Sequence, residues 1–443
     1  MTSAAVLNRP VASQSIFLWK IPLVLWFLLS SFLPATQTPL YTIWEIPVSA
    51  YNLWLLGAAV ICSGTFFLSD HHETRAANWH RNLHWWLLGL LAYAGLSVRW
   101  SGMDTSNERA MLFTLVMAGA AFLMPFTVTA SLSREQIRSM LRLTAFGLAA
   151  VAAVYSLESF FSLGLRSELG RFYSVGFGIE RVKGPLFESS VGHIILLPAA
   201  AFLLEDLLTT CTGRLYKSLA AILISISILG LGSRAAMLVV ALFVATVLFV
   251  LRGVRYRLLI VGLLAAGLAV AGAVVFSSAS TGRLYSFADP RRLSTHTTAL
   301  SAVSNRDSSI NVLGSGYGSF WAWYLPDVEQ GDLIARGGDM RRSEFGETLY
   351  QPHSVLLVLA VELGLIGLLF FVKIWSVLAG LIASAWNGGR DAIFSVSVAV
   401  TSVAMFGDLI IFKNPKVSAI WWFYILAAVA LQSASKPEEA SNS

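Results

Sequence analysis

Apolar runs long enough to cross a membrane recur along the whole chain and decide what it can fold into. A spanning helix needs about 20 mostly apolar residues. Such runs lie near residues 16–35, 51–68, 83–98, 110–129, 139–162, 188–207, 218–232, 235–251, 258–276, 353–383, 391–412 and 417–432. The first run has no clear signal-peptide cleavage site after it, so we expect it to be retained as a span. The pattern predicts an all-α polytopic membrane protein with about 12 transmembrane helices.

The composition excludes several classes of protein. Of the 443 residues, 56% are hydrophobic and 13% are charged, about half the charged share of a soluble protein. That excludes an ordinary cytosolic enzyme and a disordered chain. The net charge of +6 is not gathered into a basic patch on a soluble domain, so no nucleic acid partner is expected. Cys62 and Cys211 form neither a disulfide framework nor a zinc motif.

One long polar segment separates the ninth and tenth apolar runs. Residues 277–352 are rich in Ser, Thr, Gly and charged residues. A structureless insertion of that length is uncommon and usually functional, so we predict a small ordered domain. The chain then divides into residues 1–276 with spans one to nine, the large loop 277–352, and residues 353–443 with spans ten to twelve and a C-terminal tail.

The distribution of basic residues orients the predicted spans only weakly. Twelve spans put both termini and basic pairs such as Arg134/Arg138 and Arg214/Lys217 on one side, which should be cytoplasmic. The short loops on the opposite side carry almost as many basic residues. A polyanionic substrate on the outer side would explain them. The alternative is that these arginines contact lipid headgroup phosphates.

Charged residues inside or at the ends of spans point to function because burying a charge in a membrane is costly. Glu158, Arg234, Glu362 and Asp408 all fall toward the predicted outer ends of their spans, whereas a transporter would place such residues near the midplane. Arg234 follows Ser233 at a predicted reversal between two apolar runs. Its guanidinium could bind an anion through two hydrogen bonds. The alternative is a structural arginine whose side chain extends to the membrane interface.

His353 follows Pro352 and opens span ten, where the large loop re-enters the membrane. A helix N-terminus disfavours an imidazolium, so His353 should stay neutral and able to accept a proton; the alternative is a structural interfacial histidine. A second histidine group, His71, His72, His80 and His84, has no recognisable ligand motif. We expect a solvated turn there and not a metal site.

A glycine-rich run lies inside the large loop. It reads Gly314, Ser315, Gly316, Tyr317, Gly318, with glycine where a nucleophile elbow would have its serine. The run fits a turn that needs positive φ or close backbone approach. The chain has no Asp-x-Asp motif, which disfavours glycosyltransferases that hold a metal through such residues.

Four stretches carry a resemblance to a known family: "RVKGPLFESSVGH", "GLGSRAAMLVV", "RRLSTHTTALSAV" leading to "LGSGYGSF", and "PHSVLLVLAVELGLIGLLFF". Over roughly residues 110–412 the chain resembles the bacterial O-antigen ligase and O-antigen polymerase family of membrane glycan transferases. It departs from the family's pattern at His296, where a Trp is usual, and at residues 188–190, where Asn-Pro-Asn is usual.

The resemblance implies an activity and a set of site residues. Family members transfer a glycan from an undecaprenyl-diphosphate carrier to a sugar hydroxyl at the periplasmic face, without a metal. By position, His353 resembles the histidine that opens the span after the loop, and it could deprotonate or orient the attacking hydroxyl. Glu362 lies nine residues further along the chain and could pair with an arginine or order its helix as a supporting residue that does not react. The substrate diphosphate would be bound by Arg234, Arg292, Arg181 and Lys183.

The expected function is therefore metal-independent, inverting glycan transfer to a lipid A core, in the bacterial inner membrane and without a cofactor. The expected partners are the lipid-linked donor, the glycan or lipid A-core acceptor and membrane lipids. A polymerase of O-antigen or exopolysaccharide from the same family remains an alternative. A lipid-linked oligosaccharide flippase or transporter is an alternative of a different class.

Overall fold

The computed structural model describes a small hairpin and a set of helices. The described residues are 39–43, 46–68, 78–102, 105–161, 192–231, 234–250, 300, 303–304, 307–319, 354–385, 391–403, 412 and 415–433. Strands β1 (Pro39–Ile43) and β2 (Ile46–Ser49) pair antiparallel. The rest of the described secondary structure is helical, in agreement with the predicted class apart from the hairpin.

The helices described before residue 277 follow the apolar runs. They are α1 (Ala50–Leu68), α2 (Asn78–Ser97), which continues into a 3₁₀ turn (Val98–Trp100), α3 (Thr105–Ser131), α4 (Arg134–Phe161), α5 (Gly192–Thr209), α6 (Arg214–Gly230) and α7 (Arg234–Val250). The end of α6 at Gly230 and the start of α7 at Arg234 confirm the predicted interruption at this junction.

The helices described after residue 277 include one short helix of the large loop. They are α8 (Ser308–Leu313), α9 (Val355–Val358), a π-helical turn (Leu359–Leu363), α10 (Gly364–Ala385), α11 (Ala392–Val403) and α12 (Pro415–Ser433). Most of the large loop lies outside the described residues, so its fold as a small domain stays a prediction.

Four helical stretches of the described chain are long and apolar enough to cross a membrane. They are Glu108–Ala130, Arg134–Leu157, Gly192–Thr209 and Val355–Val377. Shorter apolar helices cover Ala50–Gly64, Ala236–Leu248, Ala392–Ser402 and Val417–Gln432. The predicted spans 16–35 and 258–276 lie outside the described residues. The count of twelve spans and their sidedness therefore stay predictions.

Helix α12 lies at the centre of the packing. It contacts α2, α3, α4, α5, α10 and α11, and Trp421, Trp422 and Tyr424 are almost completely buried. The Tyr424 hydroxyl donates to the carbonyl of Ile195 at 3.1 Å. A helix that is apolar on all sides is expected to be surrounded by protein, and α12 is. Apolar residues of other helices face outward, as Val60 of α1 does at 72% exposure.

The span expected over residues 353–383 is one candidate span over Val355–Val377, but its helix is not regular throughout. Helix α9 lasts only four residues before the π-helical turn. Gly364 then has φ +61 and ψ −160, a backbone conformation that a regular helix cannot continue through.

Candidate functional site

The structure describes Glu362 and the backbone of Arg234 among the predicted site residues. Arg234 is the first residue of α7, and its side chain lies outside the described part of the molecule. Glu362 lies in the π-helical turn and is fully buried. His353, Arg292, Arg181 and Lys183 lie outside the described residues, as do Asp408 and the side chain of Glu158. The assembly of these residues into one site therefore stays a prediction.

Ser354, the residue after His353, is the first described residue of span ten. It has extended backbone angles, and its hydroxyl oxygen accepts a hydrogen bond from the N–H of Leu357 at 3.5 Å. A serine in this position caps a helix by satisfying one of its free N–H groups. The cap fixes the start of α9 directly after His353.

The glycine loop, residues 314–319, binds the interrupted part of span ten through its backbone. The N–H of Ser315 donates to the carbonyl of Val361 at 3.1 Å, and the N–H of Gly316 donates to the carbonyl of Glu362 at 2.9 Å. The hydroxyl of Ser315 also donates to Val361 at 3.1 Å. Where a spanning segment departs from a regular helix, its backbone N–H and C=O groups need hydrogen-bond partners elsewhere in the protein. The N–H groups of the glycine loop are such partners for two carbonyls of the π-helical turn.

The opposite side of the glycine loop contacts the end of α2 and its 3₁₀ turn. The hydroxyl of Ser97 accepts from the N–H of Tyr317 at 2.9 Å. The indole N–H of Trp100 donates to the carbonyl of Gly314 at 3.3 Å. The hydroxyl of Tyr93 donates to the carbonyl of Leu313 at 2.6 Å, just before the loop. The glycine loop therefore joins α2 to span ten.

Glycine is required in this loop by both conformation and space, which confirms the expectation for the glycine-rich run. Gly314 and Gly316 have φ of +78 and +97. A Cβ on Gly314 would lie 2.2 Å from the carbonyl oxygen of Glu362, and one on Gly316 would lie 2.6 Å from the backbone of Ser101. Neither distance is compatible with a side chain while the two backbones stay in place.

The side chain of Glu362 reaches back to the glycine loop. Its carboxylate accepts a hydrogen bond from the N–H of Gly318 at 2.8 Å. The contact joins the π-helical turn to the glycine loop, and the two roles expected for Glu362 stay predictions. Tyr317 is also fully buried beside it. Burial, reinforced by the Glu362 carboxylate, raises the pKa of the Tyr317 phenol well above its usual value, so the phenol is protonated at neutral pH.

A second group of polar residues forms a charge cluster that sequence reasoning missed. It joins α4, α5, α6 and the start of α11, on the side that the predicted topology makes cytoplasmic. Its members are Arg134, Arg138, Arg142, Glu205, Asp206, Lys217 and Asp391.

Asp206 is the centre of the charge cluster. Its carboxylate accepts two hydrogen bonds from Arg142, each 3.0 Å long, and lies 2.9 Å from the ammonium of Lys217. Arg138 lies 3.7 Å from Asp206 and also binds Asp391. Its neighbour Glu205 accepts from the N–H groups at the start of α11. Buried carboxylates and cations are thus paired across four helices, which marks the cluster as structural.

Two features of the sequence could have revealed the charge cluster. Arg134, Arg138 and Arg142 are spaced by four residues and so lie on one face of a helix. Glu205 and Asp206 end an apolar run on the same predicted side. Arginines on one face of a helix and carboxylates at the end of a neighbouring span are expected to form ion pairs, because an unpaired charge in a membrane is costly.

The described residues include no group of three or more His, Cys, Asp or Glu side chains placed to hold a metal ion. Of the four histidines discussed for that role, His84 has a described side chain, and its ring stacks on Phe126 with centroids 4.8 Å apart. His71 and His72 lie outside the described residues.

Comparison with known proteins adds little to this description. No model of a known protein family matches the sequence, and no protein of curated function does. Among solved structures, the chain is similar to one described as "Structural coordination of polymerization and crosslinking by a peptidoglycan synthase complex". The identity is 21% and the TM-score 0.41, over 80% of this chain and 98% of that chain.

Proposed function

We propose that the chain is a membrane glycan transferase of the O-antigen ligase type, acting at the periplasmic face of the bacterial inner membrane. In this proposal it passes a glycan from an undecaprenyl-diphosphate carrier to a sugar hydroxyl of a lipid A core, without a metal or other cofactor. The proposal is supported by the described helices that are long and apolar enough to span a membrane and by the four stretches that resemble the family.

The observation that carries the proposal is the contact between the glycine loop and the interrupted start of span ten. The glycine loop belongs to the same large loop as Arg292, and span ten starts directly after His353. Hydrogen bonds from Ser315 and Gly316 connect these two segments. In the proposed site His353 is the base and Arg292 binds the diphosphate, so the two residues come from different segments. Such a site needs contacts between the segments, because catalytic groups must be held in place by supporting residues.

The chemistry follows from the donor. A glycosyl diphosphate already carries a good leaving group, so the protein must mainly neutralise developing charge and orient the acceptor. Arg234 and Arg292, with Arg181 or Lys183, bind the diphosphate through charge-assisted hydrogen bonds. The acceptor oxygen bonds to the anomeric carbon while the bond from that carbon to the diphosphate oxygen breaks. His353 accepts the hydroxyl proton or orients the hydroxyl on the opposite face, and the anomeric configuration inverts.

The test is glycan transfer by the purified protein from undecaprenyl-diphosphate glycan to lipid A core, with EDTA present. Transfer should persist in the chelator and fall by at least about 100-fold in His353→Ala and Arg234→Ala, as expected for groups that stabilise the transition state. The matched control is Arg214→Ala. Arg214 is also the first residue of a helix, but it is exposed on the opposite predicted side.

The outcomes separate the classes of function. Full transfer by both variants would contradict the assigned roles, and loss of transfer in EDTA would contradict the metal-independent mechanism. Movement of the lipid-linked glycan across proteoliposomes, with no transfer and no dependence on His353, would favour a flippase. A deletion strain distinguishes the acceptors: free carrier-linked polymer indicates a ligase, and lipid capped with a single repeat indicates a polymerase.

A further inference from the structure

The regular α-helical hydrogen-bond pattern of span ten is interrupted between the short helix α9 and α10. Only Val355–Val358 is α-helical before the π-helical turn, and Gly364 then breaks the backbone direction. A regular helix transmits position along its axis through its hydrogen-bond ladder. Here that ladder is interrupted, so α10 alone cannot fix where the segment 355–363 lies.

The glycine loop supplies the missing restraint. Its N–H groups occupy the carbonyls of Val361 and Glu362, and a Cβ on Gly364 would lie 2.5 Å from the nitrogen of Gly314. The two backbones are therefore in direct contact from Val361 to Gly364. Together with the buried apolar side chains of the short helix, the docked glycine loop fixes its position.

Glu362 is the side chain of the interrupted helix that returns to the glycine loop. It lies in the π-helical turn, is fully buried, and binds the N–H of Gly318. The backbone contacts hold Ser315 and Gly316, and the Glu362 carboxylate holds the far end of the same loop. A hydrogen bond to a charged acceptor is stronger than one between neutral groups.

We propose that Glu362 is a positioning residue: through its hydrogen bond to Gly318 it keeps the glycine loop docked on the interrupted helix and so fixes where His353 stands. The part of this inference that concerns catalysis rests on the proposed transferase function. In this role Glu362 needs no contact with the substrate. It acts on the reaction through the place and orientation of His353.

The first experiment measures position without activity, in the full chain in nanodiscs. Hydrogen exchange is followed in the peptide covering residues 312–319, and carbethoxylation of His353 by diethyl pyrocarbonate is followed by mass spectrometry, with His71 and His72 as internal references. Glu362→Ala should speed exchange of the loop by about tenfold or more, since local opening becomes easier, and should change the His353 modification rate at least about threefold. Glu362→Gln keeps an acceptor oxygen, so both rates should stay within about twofold of wild type.

The second experiment measures transfer kinetics on the same variants. A misplaced base costs up to about 100-fold in rate, so Glu362→Ala should lower kcat by between about 10-fold and 100-fold with the donor KM within about twofold. Glu362→Gln should restore most of kcat. The matched control, Glu108→Gln, changes a carboxylate paired with the exposed Arg99 and should leave kcat unchanged. If Glu362→Ala does not fold, Glu362→Asp takes its place, because its side chain is one methylene shorter and so weakens the same hydrogen bond.

The results distinguish the two proposals. A faster-exchanging loop with unchanged His353 reactivity would overturn the positioning role. Equal effects of Glu362→Gln and Glu362→Ala on exchange would overturn the hydrogen bond as its cause. If wild type showed no transfer while loop exchange and His353 reactivity responded as expected, the transferase function would fail and the docking of His353 through Glu362 would stand.

Discussion

The glycine loop and the charge cluster both join helices that are distant in sequence, but they do so through different chemical groups. The glycine loop uses backbone groups, close approach of two main chains and one carboxylate. The charge cluster uses long side chains whose charges compensate one another. The glycine loop should therefore be sensitive to substitutions that add atoms, and the charge cluster to substitutions that remove a charge. Substitutions in the charge cluster should therefore act mainly on stability, and substitutions in the glycine loop mainly on the position of the loop.

The largest effect on stability is expected for Asp206→Asn. The substitution leaves Arg142 and Lys217 without the buried carboxylate that both contact. Removing one partner of a buried ion pair costs about 3–5 kcal/mol. The free energy of unfolding in mixed micelles should fall by that amount. The control Asp307→Asn changes an exposed carboxylate; an equal loss in the control would show that the cluster has no special role.

Gly314→Ala should change the position of the glycine loop more than the stability of the fold. Its Cβ would lie 2.2 Å from the Glu362 carbonyl oxygen at a φ of +78, so the loop must move. Transfer should fall by about 100-fold, whereas unfolding should become easier by only about 1–3 kcal/mol. Gly57→Ala is the control, since a Cβ there meets nothing within 4 Å. Undiminished transfer by Gly314→Ala would separate the loop from the reaction.

Ser97→Ala should have a smaller effect on the same loop. It removes the hydroxyl oxygen that accepts the N–H of Tyr317 and leaves the backbone contacts with span ten in place. The free energy of unfolding should fall by about 1–3 kcal/mol, the cost of removing one partner of a buried hydrogen bond, and loop exchange should rise less than in Glu362→Ala. Ser225→Ala, at an exposed serine of α6, is the reference for losing a hydroxyl.

The smallest effect is expected for Arg99→Ala. Arg99 pairs with Glu108 at 3.4 Å, but its side chain is 81% exposed. Pairs of this kind contribute less than about 1 kcal/mol. The unfolding free energy should therefore change little, and more salt should make the difference smaller still. A loss of unfolding free energy as large as that expected for Asp206→Asn would contradict the smaller contribution expected of an exposed charge pair.

Helix positions were predictable from sequence because the length of an apolar run reflects the thickness of the membrane. The run expected over 139–162 is a helix over Arg134–Phe161, and the run 417–432 is a helix over Pro415–Ser433. The ends differ by a few residues because polar residues such as Arg134 can continue a helix beyond the apolar stretch.

The interruption of span ten was not predictable in the same way. Hydropathy stays high through residues 355–377, so an apolar-run argument sees one helix. The break depends on the backbone of Gly364 and on the distant Gly314 that contacts it. Glu362 was identified from its charge, but its partner Gly318 offers only an N–H group, which leaves no side-chain signal in the sequence.

The central place of α12 has a consequence for how the molecule is made. The helix that fills the middle of the core, with Trp421 and Trp422 almost fully buried, is the last described one to leave the ribosome. Helices α3 to α5, which are long and apolar enough to cross a membrane, are synthesised before α12, so the surfaces that later receive α12 must first face other surroundings. The hydrogen bond from Tyr424 to Ile195 can form only after α12 has been added to the helices that surround it.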